Sequence, residues 1–299
     1  MSKMNKKVKS ATYVSNFESV FKCPVCSASM HVVALESLVC EKNHTFDFTK
    51  QGYINLMIKQ SKTKYGKDLF TERHSLIAEK GFFKPLMAAI TDIINTQKKQ
   101  GNEQLSLLDT GCGEGSHLAD ICERISIGED SSVMGAGIDI AKEGILSAAK
   151  HYSNMIWAVA DLAHIPFKDQ QFDVILNILS PSNYTEFNRL LKKDGLVVKV
   201  VPRSGYLKEL REAFFAEPEK QNYSNAETVA RFREYFEIVA SSRVFYRQTL
   251  DRSSIQSLVK MTPLAWSASE ARVASFLAKE TAEITVDLEV LVGREMVHK

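Results

Sequence analysis

The chain has 299 residues, 44% of them hydrophobic, and a net charge of +2. That suffices for a full-sized core and one further small domain. No apolar run approaches the ~18 residues of a membrane span, and Lys3, Lys6, Lys7 and Lys9 have no apolar segment behind them, so a soluble cytoplasmic protein is expected. Five cysteines are too few and too unevenly placed for a disulfide scaffold; three fall within the first 40 residues, the pattern of a local metal site.

The small net charge conceals an asymmetry. Residues 1–70 hold eleven lysines against five acids, a net of +6, which leaves −4 for the remainder. A basic part on an otherwise acidic chain suits a polyanionic partner, although for residues 1–12 a solvated lysine-rich tail accounts for the same composition.

Four regions follow in chain order. Residues 1–17 are basic and aperiodic, so little order is expected there. Residues 18–60 form a compact segment of short β pieces around Cys23, Cys26, Cys40 and His44, and residues 61–70, with Lys62, Lys64, Gly66 and Lys67, read as a linker. From residue 71 to 299 helices alternate with strands.

Within that last region, Arg73–Ile94 is helical in pattern and divided by Gly81 and Pro85. Strands are predicted at 105–109, 133–140, 156–160 and 172–179, with helices at 116–124, 141–151 and 184–191 between or after them. Lys193-Asp194-Gly195 reads as a turn into a strand at 196–201. The tail offers helices at 226–233, 253–261 and 270–279, and strands at 236–240, 244–249 and 284–292. The alternation predicts an α/β fold, a mostly parallel sheet covered on both faces.

Asp109-Thr110-Gly111-Cys112-Gly113-Glu114-Gly115 closes the first of these strands and opens a helix. Glycines there let the backbone pass close to a ligand, and the helix directs free N–H groups at it. A dinucleotide loop has Gly-x-Gly-x-x-Gly; here the third glycine comes one residue early, with Ser116 in its place. An acid, Asp109, also stands two positions before Gly111. A carboxylate suits the cationic amino-acid end of S-adenosylmethionine (SAM) and is a poor neighbour for pyrophosphate. Asp139 closes the second strand, where an acid can accept both ribose hydroxyls, and Asp161 closes the third, near the expected adenine amine. Either alone reads equally as a surface turn. Together with the loop, residues 108–115, 137–140, 160–167 and 172–175 resemble class I SAM-dependent methyltransferases, which implies a Rossmann-like fold.

Cys23-Pro24-Val25-Cys26, thirteen further residues, then Cys40-x-x-x-His44 supply three thiolates and an imidazole, a donor set that suits tetrahedral Zn²⁺. His31 is the rival fourth ligand, but follows the first pair too closely to make a second one. A redox Cys-x-x-Cys pair lacks its usual βα context here. With four protein ligands the site is expected to be structural.

Read on from there, His44-Thr45-Phe46-Asp47 and Lys50-Gln51-Gly52-Tyr53-Ile54-Asn55-Leu56 resemble the zinc domain of bacterial 23S rRNA guanine-N1 methyltransferases of the RlmA type. The glycine loop and Met261-Thr262-Pro263-Leu264-Ala265-Trp266 extend that resemblance over nearly everything after residue 20. Thr49 departs from the alanine often found there, Ser180-Pro181-Ser182 from Ala-Pro-Cys, and Asp161 from the serine of some members.

The resemblance implies methyl transfer from SAM to N1 of a guanine in hairpin 35 of 23S rRNA, by a homodimer whose zinc domains grip the RNA. It also implies a cofactor site of Phe83, Asp109, Gly111, Gly113, Gly115, Ser116, His117, Asp139, Asp161 and Tyr206. Phe83 stands in the place of a tyrosine and keeps only a stacking or packing role. Tyr53 suits either RNA contact or core packing. No residue identifies itself as a general base; backbone carbonyls or water can serve. A small-molecule C- or O-methyltransferase fits the cofactor half equally well, but leaves the basic zinc segment unexplained. A non-catalytic zinc RNA-binding protein leaves the intact loop unexplained.

Overall fold

The computed structural model describes residues 5–59, 63–97, 104–127 and 132–296. Helix α1 (Lys6–Ser15) comes first, then a small antiparallel sheet of β1 (Met30–Val33), β2 (Ser37–Cys40) and β3 (Thr45–Asp47). After the short β4 (Ile54–Asn55), helix α2 (Lys67–His74) passes through a wide turn at Ser75–Glu79 towards α3 (Lys84–Gln97). The alternating region follows: β5 (Gln104–Thr110), α4 (Ser116–Ile127), β6 (Ser132–Asp139), α5 (Lys142–His151), β7 (Ile156–Val159), β8 (Phe172–Ile178), α6 (Tyr184–Leu190) and β9 (Leu191–Pro202). The chain ends with α7 (Lys208–Phe214), α8 (Pro218–Gln221), α9 (Ala226–Tyr235), β10 (Phe236–Asp251), α10 (Arg252–Met261), α11 (Glu270–Leu277) and β11 (Thr281–Glu295). Among the described residues no helix is long and apolar enough to cross a membrane.

Eight strands make one sheet in the order β10-β11-β9-β8-β5-β6-β7-β4, parallel from β9 to β4, with β11 reversed against both of its neighbours. Both faces are buried, which is why the parallel strands are near-continuous apolar runs. Leu105 and Leu107 of β5 enter one layer and Leu108 the other. From β5 the chain first winds out through β6 and β7, then returns to β8 on the other side. The C-terminal ends of β5 and β8 therefore flank a topological switch point, where open α/β sheets bind ligands.

Four local expectations need correction. Residues 6–15, expected without order, are helical: the Asn5 side chain accepts the Val8 N–H at 2.9 Å as N-cap. Ala11 and Val14 are buried, and the Lys6 ammonium donates to the carbonyls of Ala149 and Lys150 at the end of α5. The linker expected over 61–70 is already helical from Lys67, where Phe70 finds burial; residues 61 and 62 lie outside the described set. The Lys193-Asp194-Gly195 turn is a bulge inside β9, where Phe172 pairs with Leu191 and Val174 with Leu196. The two strands expected at 236–249 are one, because Ser241 and Ser242 pair with Leu291 and Val290 in a ladder whose irregularity is confined to Ile238/Ala240.

The zinc segment is built onto the sheet. Ile54 pairs with Ala158 in parallel, so β4 is the edge strand beyond β7. Phe21 meets Phe167 at 5.1 Å, and Lys22 N–H donates to the Pro166 carbonyl. Phe21, Met30, Leu38 and Phe48 share one apolar layer with Ile138, Ala158 and Phe172. Tyr53 is 3% exposed, which settles it as core.

Candidate active site and metal centre

Two tight turns present the thiolates. Ser27 N–H closes back on the Cys23 carbonyl at 2.8 Å and Asn43 N–H on the Cys40 carbonyl at 2.8 Å, with Ser27 and Asn43 at positive φ. The ligand atoms of Cys23, Cys26, Cys40 and His44 all lie within 4.8 Å of one another. Cys26 Sγ is 3.7 Å from Cys40 Sγ; His44 Nδ1 is 3.6 Å from Cys23 Sγ and 3.3 Å from Cys40 Sγ. A tetrahedral zinc with ordinary bond lengths needs S–S edges of about 3.8 Å and S–N edges of about 3.6 Å. The residues fit Zn²⁺ through His44 Nδ1. His31 is exposed on β1, paired with Val39, and stands outside the group.

The glycine loop carries the second centre. Gly111, Gly113 and Gly115 adopt φ of 75°, 58° and 82°, a region that disfavours side chains. Gly111 and Cys112 donate to the Ile138 carbonyl, and Gly113 N–H donates to Asp139 Oδ2 at 2.8 Å. Asp139 Oδ1 accepts the Ala141 N–H at 2.7 Å. One oxygen of that carboxylate thus spends a lone pair on the glycine loop and the other on the start of α5, and each keeps another.

Glycine at 115 is required on steric grounds too. A Cβ there would stand 2.6 Å from the Trp157 ring, and one at Gly137 would stand 2.3 Å from the same indole. Gly115→Ala is expected to cost about 2–4 kcal/mol from strain and overpacking. A urea midpoint equal to that of the parent protein would contradict this.

Asp109 is 1% exposed, and among the described residues neither of its oxygens has a hydrogen-bond partner. Burial pushes its carboxyl up to about 8; Arg73 works against that, while Asp139 and Glu114 add to it. Glu114, also 1% exposed, accepts from Arg73 Nε at 2.8 Å through one oxygen and has no partner at the other among the described residues. Three acidic side chains therefore gather around one guanidinium, and a cationic ligand favours their ionised forms. His117 is held well below its ordinary range by burial and then by Arg73, so its imidazole is neutral. It meets the Phe83 ring edge-on at 5.5 Å.

A cleft of about 720 Å³ opens past the ends of β8 and β9, lined by Ser180, Pro181, Ser182, Lys199, Tyr206 and Arg73 among others. Met261, Thr262 and Pro263 form another wall. Three residues further on, Trp266 is 48% exposed and meets Tyr65 at 5.6 Å.

The chain matches two family descriptions, "RlmA, N-terminal", a zinc ribbon, over residues 21–64, and "Methyltransferase domain" over residues 102–257. It is 48% identical over 276 residues to YxjB of Bacillus subtilis (strain 168), whose naming as a 23S rRNA (guanine-N1)-methyltransferase is itself provisional; the match spans 92% of this chain and 97% of that one. This chain belongs to that methyltransferase family. A Streptomyces fradiae protein named 23S rRNA (guanine(748)-N1)-methyltransferase is 26% identical over 284 residues, 94% of this chain and 99% of its own length. The cofactors are accordingly SAM, and zinc at the Cys3His group.

The fold gathers the predicted site residues unevenly. Asp109, Gly111, Gly113, Gly115 and Asp139 meet at one loop, and Tyr206 faces the adjoining cleft. Phe83 and Ser116 line a separate cavity of about 280 Å³ between α3 and α4, where Ser116 Oγ lies 2.9 Å from the Tyr152 hydroxyl. Asp161 is exposed, and its Oδ1 accepts the Ala163 N–H in a local turn. The sequence marked Asn177 only as the start of the 177–183 loop expected to meet the target base, and did not mark Arg73, Glu114 or Lys199 as site residues. A lysine inside Leu196–Val201 and an asparagine inside Phe172–Ile178 were visible as polar residues in buried apolar strands. Nothing local marked Arg73.

Proposed function

We propose that the protein transfers a methyl group from SAM to N1 of a guanine in hairpin 35 of 23S rRNA. The observation that carries this reading is one apolar layer joining a Cys3His centre to the sheet that bears the glycine loop, so that a zinc ribbon and a methyl-transfer site act as one body. Basic residues 1–70 support an RNA partner, and the exposed pair Tyr65 and Trp266 suits stacking of unpaired bases. Homodimerisation, with two zinc domains flanking a hairpin, belongs to the same proposal.

When bound, SAM supplies an electrophilic methyl on a cationic sulfur. Asp109 would pair with the α-ammonium of its amino-acid end, and the free lone pairs of Asp139 would accept ribose hydroxyls. The glycine loop lets the backbone close on the cofactor without a Cβ in the way. The Ser180–Ser182 loop and the cleft hold a guanine that has left its base pair, since N1 is inaccessible within one. Alignment of N1 with the methyl carbon and sulfur provides much of the acceleration. The zinc site has four protein ligands and takes no part in the chemistry.

The deciding experiment is transfer of labelled methyl from SAM to 23S rRNA lacking the modification, with the product mapped by reverse transcription, which stops at an N1-methylated guanine. A single stop in hairpin 35 is expected. Saturable SAM binding without incorporation into RNA would eliminate the function and leave the fold untouched.

A further inference from the structure

Strand β9 runs through the sheet as Leu196-Val197-Val198-Lys199-Val200-Val201 between β8 and β11, and Lys199 is the single charge in that run. It is 4% exposed and lines the cleft beside Ser180, Pro181 and Ser182. Its nitrogen donates to Asn177 Oδ1 and, at 2.7 Å, to the Ser180 carbonyl. Asn177 in turn donates to the carbonyls of Thr110 and Pro181 and to Ser180 Oγ, and accepts from Ser182 Oγ. Lys199 thus sits under the loop where the target base is expected.

The hydrogen bonds of Lys199 leave one position of the nitrogen for the cleft. An ammonium has three donors, whereas an uncharged amine has two donors and a lone pair. Lys199 has two acceptors and, among the described residues, no carboxylate partner. The remaining position belongs to the cleft that Lys199 lines, and holds the third N–H of the ammonium or the lone pair of the amine. Both N–H groups of the neutral form are satisfied, and the lone pair is its one unused position. Burial accordingly pushes Lys199 down to about 8. An ordinary lysine titrates near 10.4.

We propose that Lys199, as the neutral amine, accepts the N1 proton of the guanine seated in this cleft; this rests on the reading of the cleft as the acceptor-base site. In neutral guanine N1 bears a hydrogen and its electron pair is delocalised into the ring. As the N1–H bond breaks, its electron pair forms the bond from N1 to the methyl carbon. The carbon–sulfur bond breaks with its electrons going to sulfur, which becomes a neutral thioether. The proton passes to Lys199 Nζ, and the resulting ammonium returns it to water after product release. Charged and titratable groups lining the same cleft are Arg73 from α2, Tyr184 from α6, Tyr206 and Tyr223 on either side of α7 and α8, and Glu227 and Arg231 from α9. Tyr184, Tyr206 and Tyr223 are all pushed upward by burial, away from the window where Lys199 titrates.

Two measurements test this. In cofactor-free protein labelled at lysine Cε, the Lys199 resonance, assigned by its loss in Lys199→Arg, is expected to titrate near pH 8. A midpoint near ~10.4, the unperturbed value, overturns the proposal whether or not any variant folds. In single-turnover methylation of a hairpin 35 transcript, the wild-type rate is expected to rise tenfold per pH unit and level off near pH 8. Lys199→Arg stays protonated throughout and has no lone pair to accept the proton, so a loss of about 10²–10⁴-fold is expected, with the pH slope gone and SAM affinity unchanged. A Lys199→Arg rate equal to wild type overturns the proton-acceptor role alone. Wild-type protein that places no methyl on guanine N1 overturns the proposed function, and this role with it.

Discussion

Cys23→Ser combined with Cys26→Ser is expected to abolish zinc binding and to unfold residues 18–48 while the large sheet stays folded. Structural zinc contributes ~10–16 kcal/mol to small zinc peptides, as much as the whole stability of a typical domain. The segment has little else to replace it. Its three strands are three or four residues long, and two of its buried side chains, Cys23 and Cys40, are themselves ligands. Its apolar contacts through Phe21 and Leu38 to the sheet layer are shared, so the sheet keeps its own core of Ile138, Ala158 and Phe172 when they are lost. Metal analysis, limited proteolysis and SAM titration of the double variant check the three parts of the prediction. Full zinc content would refute the ligand assignment; loss of SAM binding would show that the sheet depends on the ribbon.

Asp109→Asn is expected to lower SAM affinity by about 10–150-fold, the worth of one hydrogen bond to a charged group. The pH dependence gives a second reading. Because burial holds Asp109 at about 8, it carries a proton in the free protein at neutral pH. A cationic cofactor beside it favours the carboxylate, so binding expels that proton. SAM affinity is therefore expected to rise with pH from 6 to about 8 and then to level off, the sign being that of a group deprotonated on binding. Calorimetry in buffers of different ionisation heat measures the proton released. In Asp109→Asn the slope should disappear; a slope that persisted would place the titrating group elsewhere.

Both centres were legible because each is carried by residues close in sequence. The spacing of Cys23, Cys26, Cys40 and His44 fixes two short turns, and the three glycines sit within five residues of a strand end. The position of Asp139 beside the loop was legible for a related reason, since a βαβ unit returns each strand end to the same edge of the sheet. Helix α1 was missed because what holds it is tertiary: packing on β1 and β7, and hydrogen bonds to Gly52 and the end of α5. The fusion of β10 was missed because its serines read as a break, although a 15-residue ladder with β11 holds them extended.

The glycine loop and the cysteine spacing determined by themselves that this chain binds SAM and zinc, since backbone approach and ligand geometry are local properties. Only the tertiary structure decided what surrounds Asp109. Arg73 comes from α2 and Glu114 from the loop, and their meeting depends on α2 packing over it. Only the sheet order, which pairs Asn177 with Lys199, turned a lysine in an apolar strand into a buried amine at the cleft. Burial and charge are collective quantities, set by elements that the chain brings together from far apart.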